Sequence, residues 1–286
     1  DRPGARTIRL DVSGLGSVLD VDPSSRIATV QGMATYDTVV AATLAHGLMP
    51  TVVPQLRTIT VGGAVTGLGI ESSSFRAGLP HESVQSLDVL TGTGEVLTVA
   101  PGGDHDELLR AFPNSYGTLG YAVRLSIALD PVHPYVRLRH IGFRELTALV
   151  EAIAEICATR QYQGSPVDFV DGVVFARDTA YLVLGSWEDT PDPGERPSDY
   201  TRQRIYYRSI REVTNDLLTV HDYLWRWDTD WFWCSRAFGA QHPLVRRLWP
   251  RRWRRSDVYQ RLVGIEHRWH PAARLDARRG RPARER

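Results

Sequence analysis

The stretch TITVGGAVTGLGIESSSFRAGLPHESV, Thr58 to Val84, decides how the chain is read. Four glycines, Gly62, Gly63, Gly67 and Gly69, fall within eight residues, and three serines, Ser72 to Ser74, follow at once. This is too much glycine for an ordinary strand, which needs side chains to pack. The spacing excludes two phosphate loops. GxxxxGK followed by Ser or Thr needs a lysine, and the chain has none; GxGxxG is not met either, since SGLGSV (Ser13 to Val18) has two glycines and no third. No HExxH, CxxC or clustered histidine pair occurs, so no metal is expected. What remains is a backbone surface. Glycine lets a main chain come close to a ligand, and successive N–H groups can form a concave anion nest. Thr58, Thr60, Thr66 and Ser72 to Ser74 would add hydroxyls. Taken alone, a glycine-rich turn packed on neighbouring strands is the simpler reading.

The totals bound the rest. The chain has 286 residues, enough for a large core and two domains, and its 42% apolar and 23% charged content marks a globular chain. A formal charge of +1 gives no general pull toward nucleic acid, and no specific nucleic-acid partner is expected. Every basic residue is arginine, which reads mainly as the codon bias of GC-rich, bacterial DNA. Cys157 and Cys234 are the only cysteines, too few for a disulfide framework. There is no apolar run of spanning length and no apolar signal region in DRPGARTIRL, so a cytoplasmic protein is expected, with room for a peripheral place at a membrane. The chain starts without methionine and stops in a charged tract, and reads as a fragment of a longer protein.

Periodicity places the elements. RIATVQGM (Arg26 to Met33) alternates as a strand, and TYDTVVAATLAHG (Thr35 to Gly47) reads as a helix capped by Thr35 and stopped at Gly47. LMPTVVPQ (Leu48 to Gln55) reads as a second strand. VQSLDVLTGTGEVLTV (Val84 to Val99) is a hairpin around Gly92 to Gly94, and HDELLRAF a short helix. A second glycine pair, Gly117 and Gly120, then precedes an alternating strand. Prolines near Asp130 to Pro134 suggest a boundary. Beyond it, YVRLRHIGF is a strand, and RELTALVEAIAEICATR an amphipathic helix with Leu146, Leu149, Val150, Ile153 and Ile156 on its apolar stripe. Two more strands precede a polar, proline-rich loop, Glu188 to Asp199.

The second glycine segment tips the balance. TVGGAVTGLGIESSS, the hairpin VLTGTGEVLTV and SYGTLGYAVRLSIALDP, in this order, resemble the FAD-binding domain of the vanillyl-alcohol oxidase and p-cresol methylhydroxylase (PCMH) superfamily. GLGIESSSFRAGL (Gly67 to Leu79), PNSYGTLGY, PYVRLRH and DYLWRWDTDWFWCSRAFG resemble its Δ24-sterol reductase branch, over about Val18 to Pro250. The resemblance implies an α+β fold: a PCMH-type FAD-binding domain of α/β subdomains over residues 1–132, lacking its N-terminal part, then a truncated substrate or cap domain over residues 133–286.

It also implies non-covalent FAD, held by the run Thr60, Val61, Gly62, Gly63, Ala64, Val65, Thr66, Gly67, Leu68, Gly69, Ile70, Glu71 and Ser72, with Gly117 and Gly120 closing from the other side. Glu71 is awkward beside an anion, so a ribityl or ribose hydroxyl, or a local backbone cap, suits it better. None of His46, His81 or His105 matches a covalent flavin attachment. The chemistry implied is reduction of a carbon–carbon double bond by hydride from reduced flavin, with NADPH as a candidate reductant.

Six of the eight tryptophans fall between Trp225 and Trp253. Core packing accounts for several. The functional reading makes Tyr223, Trp227, Trp231 and Trp233 an apolar wall for a flat lipid-like substrate. Asp228 and Asp230 would serve as acids only if burial raised them; arginine pairing is the commoner outcome, and no catalytic acid is assigned. VRRLWPRRWRR mixes arginine with tryptophan, and the Arg246 to Arg255 region is a candidate for peripheral membrane contact. Two rivals stay open: an FAD-dependent oxidase releasing hydrogen peroxide, and a non-catalytic fragment or paralogue that binds a lipid or a protein.

Overall fold

The computed structural model describes residues 10–269. Alternating apolar side chains build its first sheet. β1 (Val18–Asp22) turns back into β2 (Ile27–Gln31) where the Asp22 carboxylate accepts from the Ser24 N–H at 2.8 Å and the Ser25 hydroxyl at 2.7 Å. In β2, Ala28 and Val30 are fully buried and their neighbours half-covered, the expected period of two. α1 (Tyr36–Leu44) starts at Thr35, whose hydroxyl accepts from the Thr38 N–H at 3.3 Å. β3 (Leu48–Pro50) is only three residues long. The expected strand to Gln55 stops there, because Pro50 and Pro54 carry no N–H for a ladder.

α2 (Val61–Gly67) and α3 (Ser74–Ala77) follow, then the hairpin of β4 (Val84–Leu90) and β5 (Val96–Val99), where the Thr91 N–H donates to the Glu95 carbonyl at 2.9 Å. α4 (Asp106–Ala111) leads to β6 (Tyr121–Pro131), the middle of the sheet. The order is β1-β2-β6-β4-β5, with β3 on the far end of β6, and every pairing is antiparallel.

Three residues later the chain enters a second sheet. β7 (Tyr135–Phe143) is followed by α5 (Leu146–Thr159), a small hairpin of β8 (Gln161–Tyr162) and β9 (Ser165–Pro166), then β10 (Phe169–Ala176) and β11 (Thr179–Glu188). After α6 (Tyr206–Ser209), β12 (Asn215–Thr219) completes the antiparallel order β10-β11-β7-β12. α5 buries Leu149, Ala152 and Ile156 against Val167, Leu182 and Leu184. Leu146 and Val150, expected on the same stripe, stay exposed, while Ile153 packs half-buried against the same cluster. The polar loop over residues 188–199 is held by Arg137, which pairs with Glu188 at 3.0 Å and Glu195 at 2.9 Å.

α7 (Val220–Leu224), α8 (Pro243–Leu248) and α9 (Ser256–Trp269) carry the aromatic and arginine-rich part. One continuous core joins both sheets: Val30, Leu87 and Leu125 from the first share a buried cluster with Leu138 and Leu218 from the second and with Trp225 after α7. Buried charge pairs reinforce it. Asp228 accepts from Arg57 Nε at 3.0 Å and from the Ser256 hydroxyl at 2.5 Å, and Arg57 also lies 4.9 Å from the Trp225 ring centroid. Arg246 and Asp230 pair at 2.7 Å with both side chains 1% exposed, and Arg246 donates as well to the carbonyls of Tyr200, Arg202 and Arg204. Asp228 and Asp230 are thus structural partners of arginine. Among the described residues, no helix is long and apolar enough to cross a membrane.

Candidate functional site

The glycine-rich stretch folds as a helix at its start and opens at its end. Thr60 caps α2, its hydroxyl accepting from the Gly63 N–H at 3.2 Å. The next two amides point into the protein: Val61 N–H donates to the Ala34 carbonyl at 2.9 Å and Gly62 N–H to the Gly32 carbonyl at 2.8 Å. Gly62 packs so tightly that a Cβ would stand 2.8 Å from the Gly32 oxygen and 3.2 Å from Ala122 Cβ; one on Gly32 would stand 1.9 Å from the Ala122 oxygen. Here the end of β2, the start of α2 and the start of β6 meet backbone to backbone. Gly120, at φ +139°, is likewise a packing glycine, 2.5 Å from the Leu90 oxygen by the same measure. Val61, Ala64 and Val65 are core residues, and Thr66 spends its hydroxyl on the Gly62 carbonyl at 2.9 Å.

Gly67, Gly69 and Gly117 behave differently, for a Cβ on any of them would meet nothing within 4 Å. α2 ends at Leu68 (φ 59°), and the N–H groups of Leu68, Gly69 and Ile70 find no partner among the described residues. Ile70 is 80% exposed, and Leu68 is exposed beside it. The Tyr116 N–H donates to the Thr66 carbonyl at 3.1 Å, which brings the second glycine segment alongside, with Tyr116, Leu119 and Tyr121 exposed. An apolar rim with free backbone donors and no Cβ in the way suits a flat, partly apolar cofactor that also carries acceptors. These residues fit FAD.

The serines that follow turn inward. Ser72 and Tyr223 share a hydroxyl–hydroxyl bond of 3.0 Å, Ser73 donates to the Thr51 carbonyl at 2.8 Å, and the Ser74 oxygen accepts from the Glu71 N–H at 2.9 Å. The Val170 N–H adds a bond to the Ser72 carbonyl at 2.8 Å, so this segment is tied to β10. Two cavities open along the tie. One of 490 Å³ runs past Ile70, Glu71 and Phe75 to Ile153 and Val170. The other, of 280 Å³, is lined by Trp227, Phe232 and Trp233. Gln55, Asp171 and Gly172 border both.

Charge is concentrated where the cavities meet. Arg226, almost wholly buried, pairs with Asp171, donates to Tyr206 Oη at 3.2 Å and lies 3.8 Å from the Tyr223 ring centroid. Gln55 Nε2 donates to the other Asp171 oxygen at 3.0 Å. Burial first, and the neighbouring Asp171 carboxylate second, push the Glu71 carboxyl up to about 8. Burial also pushes the Tyr206 and Tyr223 phenols well above their ordinary range. The aromatic wall is therefore uneven. Trp227 and Trp233 border the smaller cavity, Tyr223 lies beneath as a core residue, and Trp231 is half-buried and not among the lining residues. Asp230, Trp231 and Phe232 form a left-handed turn, φ 67°, 48° and 58°, held by Asp230 on Arg246.

Residues 2–100 match the model of the FAD binding domain family. The human Delta(24)-sterol reductase is 29% identical over 253 residues, 81% of this chain and 47% of that protein. The Arabidopsis thaliana Delta(24)-sterol reductase is 29% identical over 189 residues, 65% of this chain and 34% of that protein. This chain carries a PCMH-type FAD-binding domain and is related to the Δ24-sterol reductases. It is also similar to cytokinin dehydrogenase 10 of rice, Oryza sativa subsp. japonica, at 30% identity over 174 residues, 58% of this chain and 31% of that protein. The chain spans less than half the length of these curated relatives.

In this sterol-reductase relative, sequence reasoning missed Gln55, Asp171, Arg226 and Phe232 at the crevice. Asp171 and Arg226 meet across 55 positions, and no local spacing announces that. One signal was available: a carboxylate inside the apolar strand FVDGVVFA needs a partner if it faces inward.

Proposed function

We propose that this chain serves an FAD-dependent oxidoreductase that reduces a carbon–carbon double bond of a sterol-like or other lipid substrate. The observation that carries the reading is the open glycine and amide strip at residues 67–70, with Gly117 alongside, whose last residue, Ile70, lines the crevice that runs on past Glu71. Residues 1–132 would hold FAD non-covalently and residues 133–286 would supply the substrate side. When bound, FAD supplies the hydride chemistry, with NADPH as its reductant.

The chain's own part is positioning. Thr60 and Thr66 fix α2, Gly62 and Gly120 seat the two glycine segments, and Gly67, Gly69, Ile70 and Gly117 meet the cofactor. Trp227, Phe232 and Trp233 form the apolar wall that keeps water from the substrate, with Tyr223 and Trp231 supporting it. Purified protein should show a flavin visible spectrum, bleach with NADPH without air, and recover its colour on adding an unsaturated sterol. Failure to recover with any unsaturated lipid sinks the reductase reading.

The match to a protein named a dehydrogenase favours a second reading, in which the flavin oxidises the substrate; with oxygen as acceptor this would be a peroxide-forming oxidase. Peroxide formed under air without NADPH would select it. Lack of flavin in preparations saturated with FAD would instead select the non-catalytic binder.

A membrane face belongs to the same proposal, at the cytoplasmic side. Leu244, Leu248 and Trp253 are exposed beside the exposed Arg247 and Arg252, whereas Arg246 and Arg254 are buried. Flotation with anionic vesicles at low salt should succeed for the parent and fail for the double variant Leu248→Asp, Trp253→Asp.

A further inference from the structure

We propose that Glu71 is the proton donor of the crevice, delivering its carboxyl proton to the substrate carbon that does not receive hydride. This rests on the alkene-reductase reading above and deepens it.

Three features of the geometry carry it. First, Glu71 lines the 490 Å³ cavity where it meets the aromatic one, next to the end of the open glycine strip. Second, among the described residues the cation whose charge acts on Glu71, Arg226, is already paired. Arg226 pairs with Asp171, and its other donors go to Tyr206 Oη and the Tyr223 carbonyl, so one positive charge already faces one negative charge. Ionising Glu71 would place a second negative charge beside Asp171 in a half-buried space. Third, the remaining neighbours compensate only in part. Tyr36 on α1 is a buried phenol pushed further from ionising, Glu82 is pinned to the Leu79 N–H at 2.6 Å, and the Gln55 backbone N–H and the Arg226 charge lower the Glu71 carboxyl less than burial and Asp171 raise it. The raised Glu71 carboxyl agrees with this arrangement. A carboxylic acid held neutral at the wall of this cavity is suited to give a proton, because its affinity for the proton lies close to the pH at which it works.

The step balances. One alkene carbon accepts hydride from the reduced cofactor, the alkene gaining two electrons and the cofactor being oxidised. The Glu71 O–H bond breaks, a C–H bond forms at the other carbon, and Glu71 is left as carboxylate until solvent reprotonates it through the open cavity. Asp171 and Arg226 are positioning residues: they set the local charge and do not touch the substrate. This role differs from a bond to a ribose hydroxyl, and the two part in experiment.

FAD-loaded parent, Glu71→Gln, Glu71→Asp and Asp171→Asn would be compared. Infrared difference spectra should show a protonated carboxyl band in the parent at pH 7, fading with a midpoint near pH 8 and missing in Glu71→Gln. Asp171→Asn should lower that midpoint. In rapid mixing without oxygen, Glu71→Gln should keep the parent's FAD content and its reduction by NADPH, and lose about 100-fold or more in reoxidation by an unsaturated sterol, with partial rescue in Glu71→Asp. Equal reoxidation by parent and Glu71→Gln overturns the assignment while leaving the reductase reading intact. Loss of FAD in Glu71→Gln overturns it in favour of a cofactor ligand, and so does a parent without the carboxyl band at pH 7. A parent that the sterol does not reoxidise fails the reductase reading itself, and the donor role falls with it.

Discussion

Gly62 and Gly67 look alike in the sequence and do opposite things. Gly62 is where two backbones touch, while Gly67 borders open space. Gly62→Ala should destabilise the fold by about 1–3 kcal/mol, because neither the Gly32 carbonyl nor Ala122 can retreat from inside the sheet. Gly67→Val and Gly69→Val should leave the unfolding midpoint nearly unchanged and cut flavin occupancy, read from the ratio of visible to ultraviolet absorbance. Equal stability losses in all three would remove the distinction. Glu71 makes a separate prediction. Its carboxyl titrates near 4.5 when unfolded and about 8 when folded. Below pH 4.5 both states hold the proton and nothing is lost; between the two values unfolding releases a proton, so stability falls as pH rises, and the loss is complete above about 8. Glu71→Gln should flatten this slope, measured by denaturant melts from pH 4 to 9.

At the scale of elements, the strands and the longer helices were legible. β2, the Thr35-capped α1, the β4–β5 hairpin, β6, β7 and α5 all follow from periodicity and turn residues. α2 was not, since each interior glycine costs a helix about 1 kcal/mol. The segment is helical because Thr60 caps it and because Val61 and Gly62 reach carbonyls of a neighbouring turn, which is tertiary information. The same holds for the arginine-rich stretch. A run of arginines reads as a solvated surface, yet Arg246 and Arg254 are buried and spend their donors on backbone carbonyls and Asp230. Arg246→Met should cost about 3–5 kcal/mol by leaving Asp230 unpaired. Because Asp230 holds the left-handed turn before Phe232, the variant should also change near-ultraviolet circular dichroism from the aromatic wall. A surface role for Arg246 would leave both signals as in the parent.

For the whole molecule, the candidate site was half legible. Its glycine half is a local sequence feature, and its charged half is assembled from residues 55, 71, 171 and 226, brought together only by the packing of the two sheets. That packing is cross-linked. Arg57 bridges Asp37 and Asp228, Arg255 reaches Asp37, and Arg76 reaches Asp130 and the Asp168 carbonyl. The two sheets should therefore unfold in one transition by calorimetry. Asp228→Asn, which leaves Arg57 partly uncompensated in a buried place, should lower that transition as a whole, by about 3 kcal/mol. Two resolved transitions in the parent would show the sheets to be independent.

The contact between Gly32, Gly62 and Ala122 has a consequence for how chains of this kind can diverge. It serves the fold alone, so a descendant that gave up its flavin would still be barred from growing a side chain there. Gly67 and Gly69 carry no such obligation, and in that descendant they would drift freely to larger residues, whereas Gly117 stays bound to glycine by its φ of +78°. The two sets of glycines thus form a readable record: where both survive the cofactor is still in use, and where only the first survives the enzyme has become something else.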